Sequence, residues 1–377
     1  AIAGYGYEIT HSSLGIDDVC IGLYFDDGLG VSIGRWPFYV INKIFHVTEF
    51  EPFILEFIAV LIFMFAAIVW SAMLKYVLGD RLPIACYAVF SAMFLDYSLI
   101  AEVFIYYLQN GVPAIYTLTG VAIFDFYYLY THTLERKQRI WHKLGMSLMV
   151  SVAIGFYEAA ANVFLTGVLL LMIVDCFAAA HMGIRRFKPF FLTLFLAGRI
   201  LVYAILERSV ITRICMAVFG IQQYSYRSAG SMLRILKYPG RILTIIRQIL
   251  RDYVFVGLAY YPIGLFVVAS ILFVIIILAA AVKKRNVYIL FLGILCYGSI
   301  FILSLPQGDA LPYRSNLMIA LLVAMVLFCL TYLILNSRYR LVNVVGMILV
   351  IAVVYNSAFD LNHWFAFEYE NNQSELA

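Results

Sequence analysis

The sequence predicts an all-α polytopic membrane protein, and three observations carry this prediction. The 377 residues are 64% hydrophobic and only 13% charged, whereas soluble domains are about 45–50% apolar and about 25% charged. Mean hydropathy is +0.94. The apolar residues form continuous runs of about 17–25 residues, which is the length of a bilayer-spanning helix, and they lack the alternation of an outer-membrane barrel.

The apolar runs predict about ten transmembrane helices, and the basic residues between them predict their orientation. Lys and Arg fall in every second connection, at 75–81, 136–143, 185–188, 283–285 and 338–340. Short connections rich in these residues stay in the cytoplasm, and one threading places all five there. The ten predicted spans cover residues 53–78, 82–101, 112–131, 143–158, 160–182, 189–207, 254–282, 287–305, 315–335 and 340–358.

This threading divides the chain into five parts. Residues 1–52 form an external first loop, 53–207 carry helices 1–6, 208–253 form an external basic segment, 254–358 carry helices 7–10, and 359–377 form an external tail. The chain starts at Ala1 without a basic or apolar signal segment, so one further span is expected before it.

Catalytic residues are expected above all in the first loop, because its carboxylates lie outside any predicted span. Asp17 and Asp18 form an adjacent pair, in which one acid could remove a proton from an attacking hydroxyl while the other orients the acceptor. An equally open interpretation is a solvated loop with Asp at turns and helix caps, which also suits Asp26-Asp27-Gly28. The sequence requires no cofactor, although carboxylates could also hold Mg²⁺ or Ca²⁺. The acids of this loop are Glu8, Asp17, Asp18, Asp26, Asp27, Glu49 and Glu51.

Residues 207–253 break the positive-inside pattern, with eight basic residues against Glu207 and Asp252. Apolar residues recur at helical spacing between Ser231 and Tyr253, and Pro239-Gly240 should split this stretch into two short helices. The segment could anchor non-specifically to lipid headgroups. Alternatively, arginines such as Arg227, joined by Arg314, could bind the phosphate of a lipid-linked substrate. Nucleic acid is not an expected partner of an external basic patch.

Ionisable residues within or beside the spans are costly and therefore suggest function. The competing interpretation is that each reaches the membrane interface from near a span end. Asp125 and Asp175 lie deeper and are expected to pair within the bundle. Those near the predicted outer boundary are Glu56, Asp96, Glu102, Glu158 and Arg199.

Four short stretches together resemble the GtrII-like bacterial glucosyltransferases, which belong to the GT-C class of membrane glycosyltransferases. Where that family's pattern would have Tyr-Gln, this chain has Tyr157-Glu158. The four stretches are Ile16-Asp17-Asp18, Ile33-Gly34-Arg35-Trp36, Glu102-Val103-Phe104 with Tyr106-Tyr107, and Gly155-Phe156-Tyr157-Glu158-Ala159.

The resemblance implies a GT-C-like fold with external loop helices. It implies transfer of a sugar, expected to be glucose, from a polyprenyl-phosphate donor to an outer-face glycan or lipid-linked saccharide, such as O-antigen or another cell-surface polysaccharide. The reaction would invert the anomeric carbon, with Asp17 or Asp18 as base, in the bacterial cytoplasmic (inner) membrane among membrane lipids. The candidate substrate-binding residues are Arg35, Trp36, Glu102, Tyr157, Glu158, Arg199, Arg227 and Arg314.

Two other functions fit the same outline. An O-antigen-type polysaccharide polymerase would also carry an Arg-rich external loop, but the aspartate pair would not be central to it. A transporter or flippase of lipid-linked saccharide would instead place polar sites at the midplane and use broken helices, whereas this chain concentrates its polarity on one predicted face.

Overall fold

The computed structural model describes residues 2–11, 28–44, 52–104, 111–182, 190–222, 234–256, 262–284, 288–311 and 313–376, and it is helical, with no strand in these ranges. The first half contains α1 (Ile2–Thr10), α2 (Leu29–Ser32), α3 (Trp36–Ile44), α4 (Pro52–Leu78), α5 (Ile84–Asp96), α6 (Leu99–Phe104), α7 (Gly111–Thr131), α8 (Arg136–Phe156) and α9 (Ala160–Met182). The second half contains α10 (Phe190–Phe219), α11 (Arg234–Lys237), α12 (Arg241–Arg251), α13 (Ile263–Lys284), α14 (Tyr288–Gly298), α15 (Ser304–Gln307), α16 (Met318–Leu335) and α17 (Arg340–Leu376).

Several of these helices are long and apolar enough to cross a membrane. Among the described residues, five segments meet both criteria: Glu56–Leu78, Gly111–Thr131, Ile263–Val282, Met318–Leu335 and Arg340–Asn371. Shorter apolar helices occupy Ile84–Asp96, Ala160–Cys176 and Tyr288–Phe301. Each of the ten predicted spans overlaps a helix, but α8 and α10 carry several charged residues, so the number ten stays a prediction.

The helices pack closely around large buried side chains. Trp70 of α4 is 1% exposed, and its indole N–H donates to the carbonyl of Tyr116 in α7 at 2.9 Å. A Cβ at Gly120 would come within 2.9 Å of Trp70 Nε1, so a glycine is what lets α4 and α7 approach each other. Small residues serve this purpose at helix contacts within membranes.

Two predicted boundaries do not interrupt the helices. Helix α10 continues through residue 207 to Phe219, where Gly220 takes a left-handed φ of 69°. Helix α17 continues through residue 358 to Leu376. Neither stretch contains a proline, and charged side chains alone do not break a helix. Arg208 therefore lies on α10 and is not part of a separate loop.

The break at Pro239-Gly240 is confirmed. Helix α11 ends at Lys237 and α12 begins at Arg241, with Tyr238, Pro239 and Gly240 between them. Pro lacks a backbone donor and Gly lowers helix stability, so the two together interrupt the helical pattern.

Several connections meet at one end of the bundle, which we call the site end. It contains the turn between α8 and α9, the Ile33–Arg35 link between α2 and α3, and the 3₁₀ turn Tyr313–Ser315 that precedes α16. Helices α2 and α3 lie against the last turns of α10, where the rings of Tyr39 and Phe219 are 5.1 Å apart.

Candidate functional site

A largely buried carboxylate flanked by two arginines lies at the site end. Glu158 Oε1 accepts a hydrogen bond from Arg208 Nη2 at 3.1 Å, and Glu158 Oε2 lies 4.0 Å from Arg35 Nη2. The side chains of Glu158, Arg208 and Arg35 are 12%, 10% and 21% exposed. Two guanidinium groups thus share this carboxylate in a poorly hydrated place, where charge interactions are stronger than in water.

Arg208 also holds the backbone that precedes Arg35. Its Nε donates to the carbonyl of Gly34 at 3.2 Å, and its Nη2 lies 3.4 Å from the carbonyl of Ile33. Gly34 has a φ of +89°, and a Cβ there would come 2.5 Å from Arg208 Nη2. Glycine is therefore required at this position, both for its backbone conformation and for the room that the guanidinium needs.

The Gly34-Arg35-Trp36 stretch packs directly on the Gly155–Glu158 stretch. A Cβ at Gly155 would come 2.9 Å from both Trp36 Nε1 and Pro37 Cγ. Phe38 and Phe156 meet edge to face with their ring centroids 5.0 Å apart. The structure thus joins two motifs that are more than a hundred residues apart in the sequence.

The turn after α8 aims Tyr157 and Glu158 into the site. Helix α8 ends at Phe156, and Tyr157 is extended, with φ −161° and ψ 139°. Its ring lies beneath Arg35, with 5.0 Å from Arg35 Cζ to the ring centroid, and its hydroxyl lies 2.8 Å from Ser315 Oγ. This cation–π contact stabilises the charged guanidinium of Arg35, and the contact with Ser315 holds the Tyr157 ring in place.

Two donors in this cluster are buried without an acceptor among the described residues. They are Arg35 Nε and Trp36 Nε1. Burying an N–H without a hydrogen bond is costly. A bound ligand with acceptor oxygens would relieve that cost.

A second polar layer lies beside the first, around the 3₁₀ turn Tyr313–Ser315. Asn162 donates to Asn316 Oδ1 at 3.3 Å, and Asn316 in turn donates to the hydroxyl of Tyr253. The rings of Tyr253 and Tyr313 are 4.5 Å apart. Ser315 and Asn316 therefore connect this layer to Tyr157 on one side and to the residues after α12 on the other.

Glu102 belongs to this second layer. It is 7% exposed on α6, which packs against the 3₁₀ turn. Burial, together with the negative charges of Asp252 and Glu102, raises the pKa of Tyr313 to about 12. Tyr313 is therefore a neutral hydroxyl at physiological pH, and it donates to the carbonyl of Asp252.

The predicted site residues divide into three groups. Arg35, Trp36, Tyr157 and Glu158 come together, and Glu102 lies in the adjoining layer. For Arg314 the structure describes only the backbone, within the turn Tyr313–Ser315. The predicted residues that lie outside the described ranges are Asp17, Asp18 and Arg227.

Arg199 does not join the cluster. It is exposed on α10, where it donates to the hydroxyl of Tyr203 at 3.1 Å. Arg199 and Arg208 are separated by about two and a half helical turns, so their side chains leave opposite faces of the same helix. Arg208, and not Arg199, therefore lies in this cluster, and the substrate-binding role of Arg199 stays a prediction.

Arg208 is the site residue that sequence reasoning missed. Hydropathy places it in the basic segment, because it follows the predicted end of a span. The uninterrupted helical pattern of residues 199–219, without proline, was the available signal. By contrast, the expected pairing of Asp125 within the bundle is confirmed, since its Oδ1 lies 2.5 Å from His142 Nδ1.

The matched region of a family model covers both motifs of this cluster. The model of the glucosyl transferase GtrII family matches residues 6–315. The chain belongs to this family. The resemblance seen in the short motifs is confirmed, and GtrII membership supports a glucosyl transferase with sugar donor and acceptor substrates. No curated protein and no solved structure matches the chain.

The match of the GtrII family model ends at Ser315, the residue that contacts Tyr157. It therefore includes all three elements that meet at the site end. Within the ranges that the structure describes, no three His, Cys, Asp or Glu side chains are grouped closely enough to hold a metal ion. Most acids of the first loop lie outside those ranges, so metal binding by these carboxylates is not tested by the structure.

Proposed function

We propose that this GtrII family member transfers a glucosyl unit from a polyprenyl-phosphate donor to an outer-face glycan or lipid-linked saccharide, with inversion at the anomeric carbon. The observation that carries the proposal is the cluster in which Arg35 and Arg208 flank Glu158 beside Tyr157. This cluster supplies positive charge at one end of an apolar helical bundle, where a phosphate attached to a lipid would stand.

The charge balance of the cluster suits a phosphate. Two guanidinium groups face one carboxylate, which leaves about one positive charge for an anion. Arg binds phosphate through paired N–H groups, and Arg35 Nε is a buried donor without an acceptor among the described residues. In the transfer, negative charge grows on the leaving phosphate, and fixed donors in a dry site stabilise that charge.

The reaction requires a base for the acceptor. The acceptor hydroxyl oxygen attacks the anomeric carbon, and the bond from that carbon to the phosphate oxygen breaks with its electron pair moving to the phosphate. We assign the proton of the hydroxyl to Asp17 or Asp18, with a slight preference for Asp17. This assignment rests on the sequence and on the family resemblance. One positioned base contributes roughly 10²–10⁴-fold to such a step.

The proposed orientation places the site end outside the cytoplasm, in a bacterial inner membrane. Its support is the distribution of basic residues, since Arg136, Lys137 and Arg139 begin α8 at the opposite end from Glu158. A donor that has been moved to the outer leaflet would present its phosphate at the level of the cluster. The GT-C class and a polyprenyl donor fit this arrangement.

The direct test offers labelled glucosyl donors to the purified full chain in lipid nanodiscs. A panel of synthetic polyprenyl-phosphate glucose donors is compared with a nucleotide-linked glucose. We expect transfer only from the polyprenyl donors, and the Asp17→Asn and Asp18→Asn variants, assayed separately, should show which acid is needed. Transfer from the nucleotide sugar alone would refute the donor assignment, and near-normal transfer by both variants would remove the base assignment.

The same assay separates the rival functions. Addition of a single sugar fits the proposal, while a ladder of lengthening products would indicate a polymerase. Donor-dependent transfer by the purified protein would also argue against transport as its whole activity. Membership of a glucosyl transferase family already favours transfer over both rivals.

A further inference from the structure

Helix α12 (Arg241–Arg251) presents an apolar flank that the protein covers only in part. Ile245 and Ile249 are each 2% exposed and pack against the rest of the chain. Leu243 and Leu250 lie further around the same apolar arc and are 76% and 49% exposed. The helix is thus seated on the protein along one edge, and its other apolar edge is uncovered.

The uncovered apolar edge is bordered by positive charge. Arg247 and Arg251 are exposed and lie beside Leu243 and Leu250 on the helical wheel, and Lys237 of the preceding α11 is also exposed. None of these three has an acidic partner among the described contacts. The flank therefore combines apolar side chains with unneutralised cations, as in helices that lie at a membrane surface.

Contacts at both ends fix the helix on the bundle. At its start, Arg241 Nη2 lies 3.9 Å from Asp309 Oδ1. Just after its end, the carbonyl of Asp252 accepts a hydrogen bond from Tyr313 at the site end. The exposed leucines therefore keep one direction relative to the membrane-spanning helices.

Exposed apolar side chains also follow α12 along the chain. Phe255, which follows α12, is 79% exposed. Helix α13 begins soon afterwards and exposes a row of apolar side chains, Val268, Ile271, Ile275 and Leu278. In a chain that spans a membrane, such a row faces lipid, because lipid is the solvent that accepts it.

We infer that α12 lies in the membrane interface, with Leu243 and Leu250 among the acyl chains and Arg247 and Arg251 on the phosphates of anionic lipid headgroups. The occupant is the bilayer itself, and this inference goes beyond the proposed transfer reaction. Anionic phosphates complement the exposed cations, and acyl chains cover the exposed leucines. The donor substrate is not needed for this contact.

The first experiment measures which solvent each edge meets. Nitroxide labels are placed singly at Leu243→Cys and at Gln248→Cys in the full chain, reconstituted in lipid nanodiscs without any polyprenyl phosphate. The unmutated chain, labelled in parallel, gives the background from its native cysteines. We expect collision with dissolved oxygen to dominate at position 243, and collision with a water-soluble nickel complex to dominate at position 248. Aqueous accessibility at both positions would overturn the inference.

The second experiment tests the headgroups. The line shape of the label at position 243 is compared in nanodiscs of phosphatidylcholine alone and of phosphatidylcholine mixed with phosphatidylglycerol. We expect lower mobility with the anionic lipid, and loss of that difference in the Arg247→Gln/Arg251→Gln variant. The matched pair Arg338→Gln/Arg340→Gln, which is exposed at the opposite end of the bundle, should keep the difference.

Two results would refute the role of the anionic headgroups. One is equal mobility of the label in the two lipid mixtures. The other is a difference that persists in the Arg247→Gln/Arg251→Gln variant. Because neither experiment measures transfer, failure of the inference and failure of the proposed function can be told apart.

Discussion

Glu158 in the α8–α9 turn and Arg208 on α10 form a partly buried, hydrogen-bonded ion pair, with 3.1 Å between Oε1 and Nη2, although they are fifty residues apart in sequence. Arg208 also binds the carbonyls of Ile33 and Gly34. This one side chain therefore connects the α8–α9 turn to the backbone that carries Arg35, and its loss should be felt at both.

Replacing Arg208 should impair transfer more than its charge alone suggests. Lys at this position keeps the charge, but its single nitrogen cannot replace both Nη2, which bonds Glu158, and Nε, which bonds the carbonyl of Gly34. We expect Arg208→Lys and Arg208→Gln each to reduce kcat, with Gln costing about 10²–10³-fold, the cost of removing one preorganised donor to a developing charge. The measurement is transfer of labelled glucose from the polyprenyl donor at saturation.

Two arginines on the same helix provide matched controls for Arg208. Arg199 and Arg213 are both exposed on α10 and lie away from Glu158. Arg199→Gln and Arg213→Gln should retain transfer close to that of the parent chain. A large loss in Arg199→Gln, with parental activity in Arg208→Gln, would reverse the assignment that the geometry supports.

Substitutions of Glu158 should affect stability and donor binding in different ways. Glu158→Ala leaves two guanidinium groups, 10% and 21% exposed, without their shared carboxylate. Breaking a fully buried pair costs about 3–5 kcal/mol, so we expect a loss of stability at the lower end of that range. Glu158→Gln keeps an acceptor oxygen for Arg208. This variant should therefore lose less free energy of unfolding, about 1–3 kcal/mol. Thermal unfolding of both variants in the same detergent measures the difference.

The Gln variant should also bind the donor more tightly. It removes the negative charge that competes with phosphate for Arg35 and Arg208, so KM for the polyprenyl donor should fall relative to the parent chain. A KM that rises with unchanged kcat would mean that Glu158 itself contacts the donor. Equal unfolding of the Ala and Gln variants would contradict the hydrogen bond as the source of stability.

Gly34 should not tolerate a side chain. Gly34→Ala forces a left-handed backbone on Ala, a strain of about 1–3 kcal/mol, and places its Cβ 2.5 Å from Arg208 Nη2. We expect lower stability and a loss of transfer comparable to that of Arg208→Gln. The matched control is Gly145→Ala in α8, where an added Cβ meets nothing within 4 Å. This substitution should leave transfer unchanged.

Tyr157 and Ser315 should behave as one unit. Tyr157→Phe keeps the ring beneath Arg35 and removes the hydroxyl that contacts Ser315, so it should cost about 1 kcal/mol of stability. Ser315→Ala should cost a similar amount, and the double variant should cost less than the sum of the two. Strict additivity in this double-mutant cycle would show that the contact contributes nothing.

The membrane class, the helix positions and the break at Pro239-Gly240 were all predictable from local pattern. Hydropathy and helix-breaking residues act locally, so a short stretch of sequence contains all the information that determines these features. The family was also predictable, since its motifs are short and contiguous. The ends of α10 and α17 were not predicted. Charged and polar residues mark the predicted ends of these spans, but a helix continues through such residues when its surroundings stabilise it.

Within the candidate site, Arg35, Trp36, Tyr157 and Glu158 could be named from their motifs alone. The amino-acid sequence therefore establishes the membrane-protein class and the residue types available for chemistry. The pairing of Glu158 with Arg208, and the orientation of Arg199 away from them, become visible only in the folded chain. A salt bridge between distant residues forms only where packing brings a turn and a helix face together, and that packing depends on the whole bundle.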